Sequence, residues 1–214
     1  MNKIAIFVPI KLISERLPNK MLCLLNEKPL FTYIFETLLE LKKDIECDIY
    51  CFCSDESIKT CLPFGIIFLK RDPSLDSKDT KGMQIYKSFA EKIDSCYYVL
   101  CHATSPFIKK ESIIQGIQDV ISGKNDSALS VEKLQKHTFY DNQPLNFEKT
   151  DWIKTQDLKP IFVTTSAFFV FTKNLLNENR HIGDNPSKIE TNFKESIDID
   201  YYSDLELANY YYHI

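Results

Sequence analysis

Residues Ile6–Lys20 read IFVPIKLISERLPNK. The stretch opens as a short apolar run ending at Pro9 and continues as a loop carrying Lys11, Ser14, Arg16 and Lys20. A run of this length and character is a buried strand. In open α/β sheets the ligand crevice lies outside the carboxyl ends of the strands, so these cations and the hydroxyl stand where a ligand is expected. Their chemistry suits a compact, phosphate-rich anion. Taken alone, the loop also reads as a solvated basic loop.

Outward from this stretch, strand-like runs alternate with helical stripes. Ile4–Ile10 is the first strand, and Pro29–Leu41 follows with Leu30, Ile34, Phe35, Leu38 and Leu41 at helical spacing. Asp48–Cys53 is the second strand, with a short helix at Asp55–Thr60 behind Ser54 as N-cap. Ile66–Lys70 is the third, and Thr80–Ile93 a helix carrying Met83, Tyr86, Phe89 and Ala90. Tyr97–Cys101, a helix over Glu111–Ile121 and a strand at Ser127–Val131 complete the regular part. The alternation predicts an α/β fold with a doubly wound, mostly parallel sheet. Residues 132–160 break the pattern: they are polar, contain the only tryptophan, Trp152, and form a long excursion of the kind usually kept for function or an interface. Ile161–Phe171 is a strongly apolar strand. A further strand is expected near Ser196–Asp200, before a final helix from Ser203.

At 214 residues the chain is expected to be one domain, 1–214. A net charge of −4 gives no basic face for nucleic acid. No apolar run approaches the roughly 20 residues that span a bilayer, so no membrane is expected. The first residues read as a strand, not a signal peptide. Seven cysteines are an odd number without metal-ligand spacing. Cys51 and Cys53 share a strand face, and the set reads as reduced, mostly buried small hydrophobes of a cytoplasmic protein.

Four groups fall at the carboxyl ends of expected strands. The first is the basic loop. The second is Cys53-Ser54-Asp55-Glu56, which also reads simply as a helix cap with first-turn acids. The third is His102-Ala103-Thr104-Ser105-Pro106, whose imidazole and hydroxyls suit a polar ligand but also shape turns. The fourth is Ser196-Ile197-Asp198-Ile199-Asp200. In a strand, residues two apart share a face, so Asp198 and Asp200 would lie on one side while Ile197 and Ile199 face the core. Two neighbouring carboxylates repel unless a cation separates them. Magnesium, held by carboxylates and substrate phosphates, is the natural one, with a solvated strand face as the alternative. Phosphate-binding cations together with an acid pair point to nucleotidyl transfer, where catalysis is positioning and charge neutralisation.

With these residues the chain resembles the acylneuraminate cytidylyltransferases, the CMP-sialic acid synthetases. VPIKLISERLPNK resembles the family's IPARxGSKRLPxKN, and Glu27-Lys28-Pro29-Leu30 its GKPL. Cys53-Ser54-Asp55-Glu56 resembles S-T/S-D-D/E, and His102–Phe107 resembles QPTSPL. Ser196–Asp200 with Asp204-Leu205 resembles the IDID…DL ending. The motifs follow in order over nearly the whole chain. The resemblance implies a nucleotide-diphospho-sugar transferase type of fold, with residues 132–160 protruding as a dimerisation element of a homodimer. It implies transfer of CMP from CTP to an acidic sugar, a sialic, legionaminic or pseudaminic type of nonulosonic acid, with Mg2+. Lys11 and Lys20 would hold the triphosphate beside Ser14 and Arg16, while Arg71 and Thr80 would address the cytosine. His102, Thr104 and Ser105 would face the sugar, Lys154 and Gln156 its carboxylate, and Asp198 and Asp200 the metal; Lys11, Lys20 and Asp200 form the implied catalytic set.

The chain departs from the family pattern at named places. Lys11 replaces an arginine and lacks its bidentate fork. No glycine lies between Ile10 and Lys20. Met21 stands for an asparagine, His102 for a glutamine and Ser166 for a glycine, and Phe107 is followed by Ile108 and Lys109 where an arginine is usual. The alternatives are a cytidylyltransferase for the eight-carbon acid Kdo or a phosphorylated small molecule, or a nucleotide-binding homologue without catalysis.

Overall fold

The first strand binds two neighbours at once. In the computed structural model, which describes residues 3–213, β1 (Ile4–Ile10) pairs in parallel with β2 (Asp48–Cys53) and β4 (Tyr97–Cys101). β3 (Ile67–Lys70) extends the sheet beyond β2. On the other side β6 (Ile161–Thr172) runs antiparallel between β4 and β5 (Ser127–Leu134), and β7 (Pro186–Glu190) closes the edge parallel to β5. The sheet order is therefore β7-β5-β6-β4-β1-β2-β3, with β6 alone reversed.

Alternation along β1 divides the core. Ile4, Ile6, Val8 and Ile10 join one cluster with helices α1 (Leu30–Leu41) and α3 (Lys110–Ile121). Ala5 and Phe7 join the other, with α2 (Gly82–Lys92) and α4 (Lys173–Asn177). Phe7 stacks on Phe89 with centroids 4.3 Å apart. Helix α3 approaches β6 closely because Gly116 has no side chain; a Cβ there would stand 2.9 Å from Phe168 Cε2. Helix α5 (Tyr202–Tyr212) belongs to a third cluster, in which Ile197, Ile199 and Leu205 meet Leu17 and Leu25. This cluster fastens the end of the chain to the loop after β1.

Three sequence expectations need correction. Residues 196–200 are not a strand: Ile199 N–H donates to the Thr104 carbonyl at 2.8 Å, but no ladder forms. The seventh strand is Pro186–Glu190, whose polar composition hides it. Its opening proline is admitted because this is an edge strand. The helix after β2 is a 3-10 turn, Glu56–Cys61, capped not by Ser54 but by Asp55, which accepts from Ser57 N–H at 2.9 Å.

The excursion begins as a ribbon, Val131–Leu134 paired with Ile161–Thr164, beyond a register shift in β6. Past it, His137 stacks on Trp152 at 3.9 Å, with Phe147 against both. Trp152 remains 68% exposed. At the register shift Ser166 adopts φ 57°, a left-handed conformation unfavourable for a residue with a side chain. Ser166→Gly should raise stability by about 0.5–1 kcal/mol, the strain relieved less the extra unfolded-chain entropy of glycine. Urea unfolding tests this, and a lowered midpoint would refute it.

All seven cysteines are free. Cys47, Cys51, Cys53 and Cys101 are buried, Cys23 is half-buried, and Cys61 and Cys96 are exposed. Cys51 and Cys53 share one core cluster, as their spacing requires.

Candidate active site

The loop after β1, the ends of β2 to β4 and the segment before α5 meet at the carboxyl edge of the sheet. Lys20, only 7% exposed, bonds Asp200 at 2.7 Å, and Arg16 bonds the other oxygen of the same carboxylate at 2.6 Å. Arg16 also lies 5.6 Å from the centroid of the Tyr201 ring. Asp204 Oδ2 accepts from the N–H groups of Asp200 and Tyr201 at 2.9 and 2.7 Å. It thus caps α5 and fixes the Asp200 backbone.

Asp198 is exposed and Asp200 partly so, alternating with buried Ile197 and Ile199, although no strand holds them. Solvent reaches Asp198, but the cleft walls strip part of its hydration and push its carboxyl above the usual range. The Thr104 side chain opposes that rise, and the Asp200 charge adds to it. The donor set is two carboxylates within mutual repulsion, one of them already drawing two cations.

His102 follows β4, its backbone N–H donated to the Ala167 carbonyl at 3.0 Å. Burial, then His181 and Lys20, push its imidazole down to about 4, against a smaller upward pull from Asp200. The ring is therefore uncharged at neutral pH. His181 is also shifted down by burial, its ring packed against Phe169 and Tyr86 at 5.0 and 5.4 Å.

Arg71 is 2% exposed, which sequence alone did not reveal. Its Nη2 donates to the Ile10 carbonyl at 2.9 Å and to Asp76, and its Nη1 to the Phe52 carbonyl at 3.3 Å. It thereby ties the ends of β1 and β2 together. Its Nε is buried without a partner. Beside it opens a cavity of ≈ 270 Å³ lined by Met21, Gly82, Tyr86, His102 and Thr104 among others. An orphaned buried N–H costs on the order of 1–3 kcal/mol, so an acceptor brought by a ligand would relieve it. A larger cavity, ≈ 580 Å³, lies elsewhere, at the amino ends of β1 and β4 beside the Lys173–Asp94 pair.

Other candidates are brought in less directly. Lys11 Nζ donates to the Asp76 carbonyl. Ser14 is half-buried in the loop. Thr80, two residues before Gly82, closes a turn by donating its N–H to the Ser77 carbonyl at 3.2 Å. Ser105 is 1% exposed, and its backbone N–H donates to the His102 carbonyl at 3.3 Å. Lys154 and Gln156 are exposed on the excursion. Among the described residues no hydrogen bond or ion pair joins them to the cleft, and Gln135 holds the Gln156 carbonyl at 3.0 Å within the excursion. Asp76, His181 and Tyr201 were missed because no motif or periodicity marks them. Asp204 appeared only as part of the DL ending.

A family model for cytidylyltransferases matches residues 5–212. The chain belongs to the cytidylyltransferase family. It is accordingly a nucleotidyltransferase. A search of curated proteins gives no significant match. Among solved structures, the cytidylyltransferase is similar to the CMP:2-keto-3-deoxy-manno-octonic acid synthetase complexed with CTP. The TM-score is 0.70 at 13% identity, over 99% of this chain and 98% of that one. It is also similar to the 4-diphosphocytidyl-2C-methyl-D-erythritol synthase of Anaerococcus prevotii, with TM-score 0.65, 11% identity and 99% of each chain covered. The bifunctional IspDF of Campylobacter jejuni gives TM-score 0.65 at 15% identity, over 95% of this chain and 53% of that one. At such identities the likeness carries the fold, and the mixed, mostly parallel sheet of the cytidylyltransferase is the one these structures share.

Proposed function

We propose that this cytidylyltransferase transfers CMP from CTP to the hydroxyl of an acidic sugar of the nonulosonic type, such as a sialic, legionaminic or pseudaminic acid, and releases pyrophosphate. The observation carrying this reading is the pairing of Lys20 and Arg16 with Asp200 across the chain. It joins a cationic loop suited to phosphates to a carboxylate pair suited to a hard cation. In the transfer the acceptor oxygen bonds the α-phosphorus, the bond from that phosphorus to the pyrophosphate oxygen breaks, and the hydroxyl proton leaves. Lys11, Lys20 and Arg16 neutralise the triphosphate, with Ser14 beside it, and charge neutralisation of this kind is the larger part of such catalysis.

Arg71, through its orphaned Nε, and Thr80 serve the pyrimidine. His102 and Thr104 serve the sugar, the uncharged imidazole offering one donor and one acceptor. The oxygen donors of Asp198 and Asp200 fit Mg2+, which prefers one or two carboxylates plus phosphates. When bound, it supplies Lewis-acid polarisation of the phosphoryl oxygens.

The working form is a homodimer. The exposed aromatic excursion meets a second copy, where Lys154 and Gln156 approach the sugar carboxylate. With seven free thiols, the cytoplasm is the compartment. No helix among the described residues is long and apolar enough to cross a membrane.

A second reading, with Kdo as acceptor, is favoured by the likeness to the octonic acid synthetase. Pyrophosphate release with Mg2+, offering each nucleoside triphosphate against nonulosonic acids and Kdo, separates the two. Release with CTP and a nonulosonic acid is expected. Release with Kdo alone moves the assignment to the second reading, and CTP binding without any release favours a non-catalytic homologue.

A further inference from the structure

Asp76 belongs to none of the motifs, yet three strand ends converge on it. It closes the 3-10 turn Pro73–Asp76 that follows β3. Its carboxylate accepts from Ser54 Oγ, just past β2, and from Arg71 Nη2, just past β3. Its backbone carbonyl accepts from Lys11 Nζ, just past β1. Arg71 lines the ≈ 270 Å³ cavity, while Asp76 and Ser54 line a neighbouring one of ≈ 320 Å³ with Leu12 and Ile13. The Arg71–Asp76 pair therefore stands between the two.

The rest of the segment is held weakly. Asp72 accepts only from Ser74 N–H, and Ser77 Oγ only from Asp79 N–H. Among the described residues 72–80, Asp76 alone hydrogen-bonds through its side chain to groups outside the segment. Yet this segment leads into Gly82 and Tyr86, which line the cavity beside Arg71.

We propose that Asp76 is a positioning residue for nucleotide binding. By clasping Arg71 and Ser54 it fixes both the carbonyl that aims Lys11 and the segment that walls the base pocket. A lysine on a free four-carbon stem loses rotamer freedom when it closes on a phosphate, and one already held near its working position loses less. A guanidinium left with only two carbonyl partners lacks the charged, directional bond that orients its remaining N–H groups. The inference rests on reading Lys11 and Arg71 as nucleotide ligands.

The test uses the full-length enzyme with CTP and the acceptor that the wild type accepts. Asp76→Ala should raise KM for CTP about tenfold, the loss expected for one charge-assisted hydrogen bond. The acceptor KM should stay unchanged and kcat within about threefold, the pattern of lost nucleotide binding. Asp76→Asn and Ser54→Ala, which keep part of the clasp, should give smaller rises in the same parameter, and they carry the test if Asp76→Ala does not fold. An unchanged KM for CTP in these variants overturns the proposal. So does a loss shared equally by kcat and the acceptor KM, which would mark scaffold damage. A wild-type enzyme that does not use CTP overturns the nucleotide reading and this proposal with it. If the wild type uses CTP and Asp76→Ala leaves its KM unmoved, this proposal alone falls.

Discussion

Asp200→Ala should lower kcat by about 10³-fold while leaving the dissociation constant for CTP within about threefold of wild type. The asymmetry follows from what Asp200 holds. Its two oxygens occupy Arg16 and Lys20, at 2.6 and 2.7 Å, the same cations assigned to the triphosphate. Removing the carboxylate frees both for phosphate, so ground-state binding loses little. It also removes half of the acid pair that would hold Mg2+, so stabilisation of the transition state is lost. Lys20 is nearly buried, and leaving it without its partner costs folding stability. Asp200→Asn, which keeps the shape and an acceptor oxygen, serves as the companion variant. Steady-state kinetics and calorimetric titration with CTP decide the matter. Retained turnover would remove Asp200 from the mechanism, and a parallel collapse of CTP binding would make it a structural support of the loop.

Arg71→Ala should destabilise the fold by about 3–5 kcal/mol, the range for breaking one side of a buried ion pair. The guanidinium is 2% exposed and serves three acceptors at once: the carbonyls of Ile10 and Phe52, and Asp76. Alanine would leave both carbonyls without that donor, Asp76 without its cation, and a void against the Phe52 ring. Arg71→Lys should recover only part of the loss, since an ammonium cannot fork between two carbonyls and a carboxylate. Urea unfolding of the three proteins measures both effects. A loss below about 1 kcal/mol for Arg71→Ala would show that the strand ends are held by something else.

How much of this was legible in the sequence depends on the range of the interaction involved. The strands Ile4–Ile10, Asp48–Cys53 and Tyr97–Cys101 stand where the apolar runs put them. Strands buried on both faces have little choice of composition. Helix α1 follows its stripe because Ile34, Phe35, Leu38 and Leu41 must face one core. Pro186–Glu190 escaped because an edge strand with one buried isoleucine, Ile189, carries no periodic signal. Burial alternates from Ile197 to Asp200 as the strand pattern required, although these residues pair with no strand.

In the site, the sequence named Lys11, Arg16, Lys20, Arg71, His102, Asp198 and Asp200, since local motifs and strand ends mark them. It misjudged the cap at Ser54, because whether a hydroxyl points to solvent, backbone or a distant carboxylate is not a local property. Asp76 was invisible for the same reason: its partners Lys11 and Ser54 are 65 and 22 residues away.

The sequence by itself determined the alternation of elements, the apolar faces and the set of charged groups at the strand ends. Each of these follows from local periodicity and from burial of apolar surface. Only the tertiary structure decided which charge meets which: Lys20 and Arg16 with Asp200 across 180 and 184 residues, and Arg71 buried against two strand ends and Asp76. The physical reason is that strand pairing and core packing settle the order β7-β5-β6-β4-β1-β2-β3 first. The ion pairs are consequences of which carboxyl ends that order makes neighbours.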